Sequence, residues 1–148
     1  MKKTLNFLLS FFLILSIDQI IKLLFLHGFE WHSKCISLTL AINKGVAFSM
    51  FSFLGEWLKY IQLVLIGVLV FYFFKEKIIN KHPVISGMLF GAAVSNLIDR
   101  FLRGGVVDYV YWHCYFDFAI FNFADVIIDL SIVLFAYYYF FGKILTKK

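Results

Sequence analysis

One proline and two cysteines stand in 148 residues, and only 16% of the chain is charged. With a single proline there is no proline-rich linker, and no internal repeat or low-complexity tract interrupts the sequence. Cys35 and Cys114 are neither closely spaced nor accompanied by a metal-ligand pattern, so no metal site is expected. Ordinary packing is the expected role of both cysteines; pairing between them is left open. His27, His32, His82 and His113 are scattered and read as solvated loop residues. So little charge, with a mean hydropathy of +0.88, excludes an ordinary soluble globule. No basic run with interleaved aromatics is present, which argues against nucleic acid as a partner. The formal charge of +5 is therefore read as membrane topology.

What the chain has instead is long apolar runs. Residues 5–26, 58–74, 83–102 and 121–145 are each read as a membrane-spanning helix. The first is about 33 Å long at the α-helical rise, enough for a hydrocarbon core of roughly 30 Å. It continues through Asp18-Gln19-Ile20-Ile21-Lys22 with no small-residue cleavage motif, so it is read as a retained helix and not a signal peptide. Asp18 and Lys22 are four apart and share a helix face. In the third run Gly87, Gly91 and Ser95 recur every four residues, a row of small side chains against which another helix can lie closely.

Between the first two runs, residues 27–57 are too broken to span and are read as a small external cap. Ile36-Ser37-Leu38-Thr39-Leu40 alternates with period two, as a strand does, and Asn43-Lys44-Gly45 reads as a turn. The aromatic stretch from Phe48 to Leu54 and Trp57 suit the interface. Lysines collect at Lys2 and Lys3, at Lys75, Lys77 and Lys81, and at Lys143, Lys147 and Lys148. The opposite loops hold Lys34, Lys44 and Arg103. Positive residues stay inside, so both termini are expected on the cytoplasmic side and the cap outside. The expected architecture is an all-α integral membrane protein, one domain over 1–148, with four transmembrane helices and an extracytoplasmic, β-containing cap.

The stretch from Asn96 to Asp125 holds Asp99, Asp108, Asp117 and Asp125 in an otherwise apolar setting. Acids in or beside lipid are expensive and are retained where they pair, line a wet cavity or do chemistry. Asp108 follows the Gly104-Gly105 break that ends the third run, and Asp125 opens the fourth, so both fall near one membrane surface. Converging carboxylates tend to share a proton, one acting as base and the other as acid, and such a pair can activate water without a metal. Asn96, Asp99 and Arg100 are spaced three and four apart on one face. A proton-coupled transporter would spread its acids through the depth of the membrane, whereas here they gather at one side with only Asp129 clearly deeper. A membrane scaffold would leave Asp108 and Asp125 without a purpose.

Five ordered motifs resemble those of the lipoprotein signal peptidases, the type II signal peptidases of bacteria. They are Asp18-Gln19 with Lys22; Asn43, Gly45, Ala47 and Phe48; Gly91 to Arg100; Val106-Val107-Asp108; and Phe121-Asn122 with Ala124-Asp125. Each is weak alone; their joint order over most of the chain is specific. The resemblance implies an aspartic endopeptidase of the bacterial inner membrane with Asp108 and Asp125 as the catalytic pair. It implies Asn43, Asn96, Arg100 and Asn122 at the substrate, and Asp18, Lys22 and Asp99 as support. Diacylglyceryl-modified prolipoproteins, cut before the lipidated cysteine, are the implied substrates, with membrane lipid as surroundings, no cofactor and a monomeric enzyme. The chain departs from the family pattern at Ala92 and Ser95, where glycine is usual, and at Ala119-Ile120, where proline-alanine is usual. Asp129, one turn beyond Asp125 and on its face, either bonds a neighbouring helix, the preferred reading, or acts on Asp125 by like-charge repulsion.

Overall fold

The computed structural model describes residues 1–45 and 52–145. Ala47 and Phe48 of the second motif, the aromatic run as far as Phe51, and Lys147 and Lys148 lie outside the described residues. Helix α1 (Lys2–Leu26) is followed by strands β1 (Trp31–His32) and β2 (Ile36–Asn43). Then come α2 (Trp57–Lys75), the single turn α3 (Ile78–Lys81), α4 (Pro83–Arg103), β3 (Val106–Trp112) and α5 (Phe123–Leu145). Four of these helices, α1, α2, α4 and α5, are long and apolar enough to cross a membrane.

The helices sort themselves by what they expose. α1 and α2 show leucine, valine and phenylalanine on most sides, as lipid-facing helices do, and bury few residues. α4 is the reverse, burying Ser86, Gly87, Gly91, Ala92, Ser95, Asn96, Asp99 and Arg100 among its neighbours. It is the central helix, packed against α1, α5 and α2. Its start is set by Pro83 in the first turn, where a missing N–H costs nothing. Its end is set by Gly104 at φ +73°, a left-handed cap that side chains resist.

The small-residue row on α4 faces α1. A Cβ on Gly87 would stand 2.4 Å from Phe7 O, and one on Gly91 would stand 2.5 Å from Phe11 O. Both distances are to backbone, so the helices meet main chain to main chain. Ala92 and Ser95 on the same helix are both fully buried.

The sheet is antiparallel, in the order β1-β2-β3. Its third strand comes from outside residues 27–57: Val106–Trp112 was read only as the sequel to a helix break. The run Val-Val-Asp-Tyr-Val-Tyr-Trp is rich in β-branched and aromatic residues and pairs along β2 from Ile36 opposite Trp112 to Asn43 opposite Val106. The cysteines also depart from expectation. Cys35 and Cys114 form a disulfide with Cα atoms 4.3 Å apart, at the end of the sheet where Ile36 pairs with Trp112. His82 and His113 are not free in solvent. His82 is half-buried against Phe135 and Tyr138, and the His113 ring lies 3.0 Å from Ser37 Oγ.

Candidate active site

The site forms where β3 meets the start of α5. The amides of Tyr109 and Val110 both donate to Phe121 O, at 3.1 and 2.9 Å, and Phe121 N donates back to Val110 O at 3.1 Å. This bridge holds the segment before α5 against the strand that carries Asp108.

The first turn of a helix leaves amides without partners, and here three of them find one in turn. Phe123 N donates to Tyr109 Oη at 3.0 Å, and Ala124 N donates to Asp18 Oδ1 at 2.9 Å. Asp125 N donates to Asn122 Oδ1 at 2.9 Å, while Asn122 N donates to Asp125 Oδ2 at 3.1 Å. This last pair is a reciprocal capping box, with a carboxylate at the positive end of the helix dipole. Asp125 is therefore oriented by the helix whose first turn it occupies.

Asn122 also reaches the other carboxylate. Its Nδ2 donates to Asp108 Oδ1 at 2.7 Å and to Asn96 Oδ1 at 3.2 Å. Asn96 Nδ2 donates to Asp125 Oδ1 at 2.8 Å, and Asn43 Nδ2 donates to Asp108 Oδ2 at 3.0 Å. That last contact follows from sheet register: Asp108 pairs with Ala41, so Asn43 lies two residues along on the same face. Asn43 Oδ1 also accepts from Gly45 N at 3.0 Å, closing the turn read at Asn43-Lys44-Gly45. Burial pushes the Asp108 carboxyl up from 3.8 to about 6, the charge of Asp125 adds to the rise, and the Asn43 and Asn122 amides oppose it.

Behind these residues lies a second polar layer with no exposed atom at its centre. Lys22 and Asp18 are fully buried on α1 and lie 2.6 Å apart; Lys22 also lies 2.7 Å from Asp99 Oδ2 on α4. Its third contact is donated to Asn96 Oδ1 at 2.8 Å. Two carboxylates and one amide thus satisfy a single buried ammonium, the condition under which a charge is tolerated there. Ser95 Oγ donates to Asp18 Oδ2 at 2.6 Å, Val107 N donates to Asp99 Oδ2 at 3.2 Å, and Arg103 pairs with Asp99 Oδ1. Asp18, Lys22 and Asp99 thus lie behind Asn96 and the first turn of α5 and do not line the cavity that Asp108 and Asp125 line.

Asn43, Asn96, Arg100, Asp108 and Asp125 do line one cavity, of about 510 Å³, walled otherwise by mainly apolar residues of α2 and α5, with Gln62 and Asp129 among them, by Val106 and by residues 118–121. Arg100 is buried; its Nη2 donates to Gly45 O at 2.5 Å and its Nε has no partner among the described residues. Asp129 is exposed on the same wall with no hydrogen bond to a neighbouring helix among the described residues, contrary to the role read for it. Sequence reasoning also passed over Tyr109 and Gln62, and took Ser95 only as a small packing residue and not as a donor to Asp18. The signal for Gln62 was present: it is an amide inside the apolar run of α2, and its Oε1 is buried without a partner among the described residues.

Four apolar helices long enough to span, with Asp18, Lys22, Asp99 and Arg100 buried among them, define a multi-pass membrane protein built around a buried polar centre. Residues 10–141 match the family model described as signal peptidase (SPase) II, and the chain belongs to that family of bacterial membrane peptidases. It is 54% identical over 134 residues to the lipoprotein signal peptidase of Wolinella succinogenes, covering 90% of this chain and 92% of that protein. It is 51% identical over 143 residues to the lipoprotein signal peptidase of Helicobacter pylori, covering 96% and 91%. A bacterial membrane enzyme solved by the in meso method superposes with a TM-score of 0.75 at 26% identity, covering 96% of this chain and 91% of that one.

Proposed function

We propose that this chain removes signal peptides from diacylglyceryl-modified prolipoproteins, cutting before the lipidated cysteine with Asp108 and Asp125 as an aspartic pair. Membership of the signal peptidase II family supports the substrate class. The observation that carries the chemistry is that Asn122 is bonded to both carboxylates, which brings Asp108 and Asp125 to one cavity wall.

In this reading one of the pair is ionised and the other protonated, because two carboxylates so placed do not readily both ionise. A water between them gives its proton to the ionised member and attacks the scissile carbonyl. The protonated member polarises that carbonyl and then passes a proton to the departing amine. The unpartnered Nε of Arg100 and the side chains of Asn43 and Asn96 supply donors for peptide carbonyls and for the developing negative charge. A substrate anchored by its acyl chains reaches the cavity sideways, through the apolar wall formed with α2 and α5. With lysines at the other ends of the helices, the site faces the extracytoplasmic side, both termini face the cytoplasm, and the enzyme acts as a monomer on lipid-embedded substrate.

The test is incubation of the purified protein with a lipidated prolipoprotein, comparing wild type with Asp108→Asn and Asp125→Asn. Both variants are expected to lose processing by at least about 10²-fold while remaining in the membrane fraction. Cleavage at the wild-type rate by either one would remove that residue from the pair.

A further inference from the structure

A second cavity, of about 400 Å³, adjoins the first at Asn43 and Asp108, and residues 118–120 wall both. The two differ in where their walls come from. The first draws Leu58, Ile61 and Leu65 from α2 and Ile128 from α5. None of the second comes from a spanning helix: its remaining walls are Ala41 and Ile42 of β2, Tyr111 of β3, and Asp117. An endopeptidase must hold chain on both sides of the bond it breaks. One side of this substrate is apolar and the other continues into water. A membrane-walled and a sheet-walled cavity meeting at Asp108 match that division.

The charge of the second cavity indicates which chain it favours. Asp117 is exposed, accepts a hydrogen bond from Tyr111 Oη at 2.6 Å, and has no Lys or Arg paired with it among the described residues. Asp108 is the other ionisable acid on the wall, and none of the lining residues is cationic. We propose that this cavity binds the residues that follow the lipidated cysteine, and that Asp117 sets a preference there for basic over acidic side chains. The proposal rests on the aspartic-pair reading, because it takes Asp108 as the point where the chain is cut.

The experiment uses the full-length purified protein and two lipidated prolipoproteins differing only in the second and third residues after the cysteine, Lys-Lys or Glu-Glu. An exposed charge pair is worth little, so wild type is expected to favour the lysine substrate in kcat/KM by about threefold per site, and less as salt is raised. Asp117→Asn should shrink that ratio, and Asp117→Lys should invert it, a reversal that a merely structural role would not produce. Equal cleavage of both substrates by wild type, or an unchanged ratio in Asp117→Lys, overturns the proposal. Cleavage of either substrate at the wild-type rate by Asp108→Asn would instead overturn the aspartic-pair reading, and this one with it.

Discussion

Asn122 Nδ2 donates to Asp108 Oδ1 at 2.7 Å from the residue that caps α5, whose first turn carries Asp125. One amide side chain thus fixes the spacing between two acids that are far apart in sequence. Removing it strands a carboxylate oxygen on Asp108 and unties the capping box. A buried group left without its partner costs about 1–3 kcal/mol. Asn122→Ala is therefore expected to lower kcat for prolipoprotein cleavage by about 10-fold to 100-fold, with a smaller change in KM. Unchanged kcat would show that the pair is positioned without Asn122.

Asp108 supplies a pH prediction. Its carboxyl is raised from 3.8 to about 6, first by burial and second by the charge of Asp125. The folded state therefore holds the proton more tightly than the unfolded chain does. This group's contribution to stability is greatest below 3.8, falls as pH rises from there through about 6, and is constant above that. Asp125→Asn removes the second cause and leaves the first. The Asp108 titration, followed by infrared absorption of isotope-labelled carboxyl groups, should move downward in Asp125→Asn yet stay above 3.8. A midpoint that stayed put or rose would separate the two side chains electrostatically.

Lys22 and Asp99 stand 2.7 Å apart on different helices with neither side chain exposed. Lys22 also holds Asp18, which in turn accepts from the first turn of α5. Lys22→Met keeps most of the volume but leaves buried Asp18 without a cation and Asp99 with Arg103 alone. Breaking a buried ion pair from one side costs about 3–5 kcal/mol. The variant should unfold at markedly lower temperature in detergent, and the double variant Lys22→Met with Asp99→Asn should recover part of the loss. A variant as stable as wild type would show the ammonium to be dispensable.

What could be read in the sequence was whatever rests on one element at a time, the strand from Ile36 and the turn at Asn43-Lys44-Gly45 included. The apolar runs gave four spanning helices, and the spacing of Gly87, Gly91 and Ser95 gave the close face of α4, because helical period alone decides both. The strand at Val106–Trp112 is not marked by periodicity, because its run of β-branched and aromatic residues is short and does not alternate between apolar and polar. Only pairing with β2 reveals it. The disulfide between Cys35 and Cys114 depends on the same long-range pairing, since the two residues are 79 apart in sequence. Asp129 was assigned a helix partner from its position one turn beyond Asp125. Periodicity fixed its face correctly, but it does not say whether a neighbouring helix or a cavity lies opposite.

The packing of α1 on α4 gives the last test. An added methyl on Gly91 would stand 2.5 Å from Phe11 O, a main-chain atom that cannot turn aside. Relief requires the helices to separate, and separation stretches the bonds further along them, from Ser95 to Asp18 and from Lys22 to Asp99. Overpacking of this kind costs about 1–3 kcal/mol. Gly67 on α2 is the matched control, since a methyl there meets nothing within 4 Å. Gly91→Ala should lower the melting temperature in detergent and reduce prolipoprotein cleavage, with Gly91→Leu worse. Gly67→Ala should be neutral or slightly stabilising, because alanine loses less conformational entropy in a helix than glycine does. Equal effects at positions 67 and 91 would mean that the cost reflects helix propensity alone, and that the contact with Phe11 does not position the polar layer.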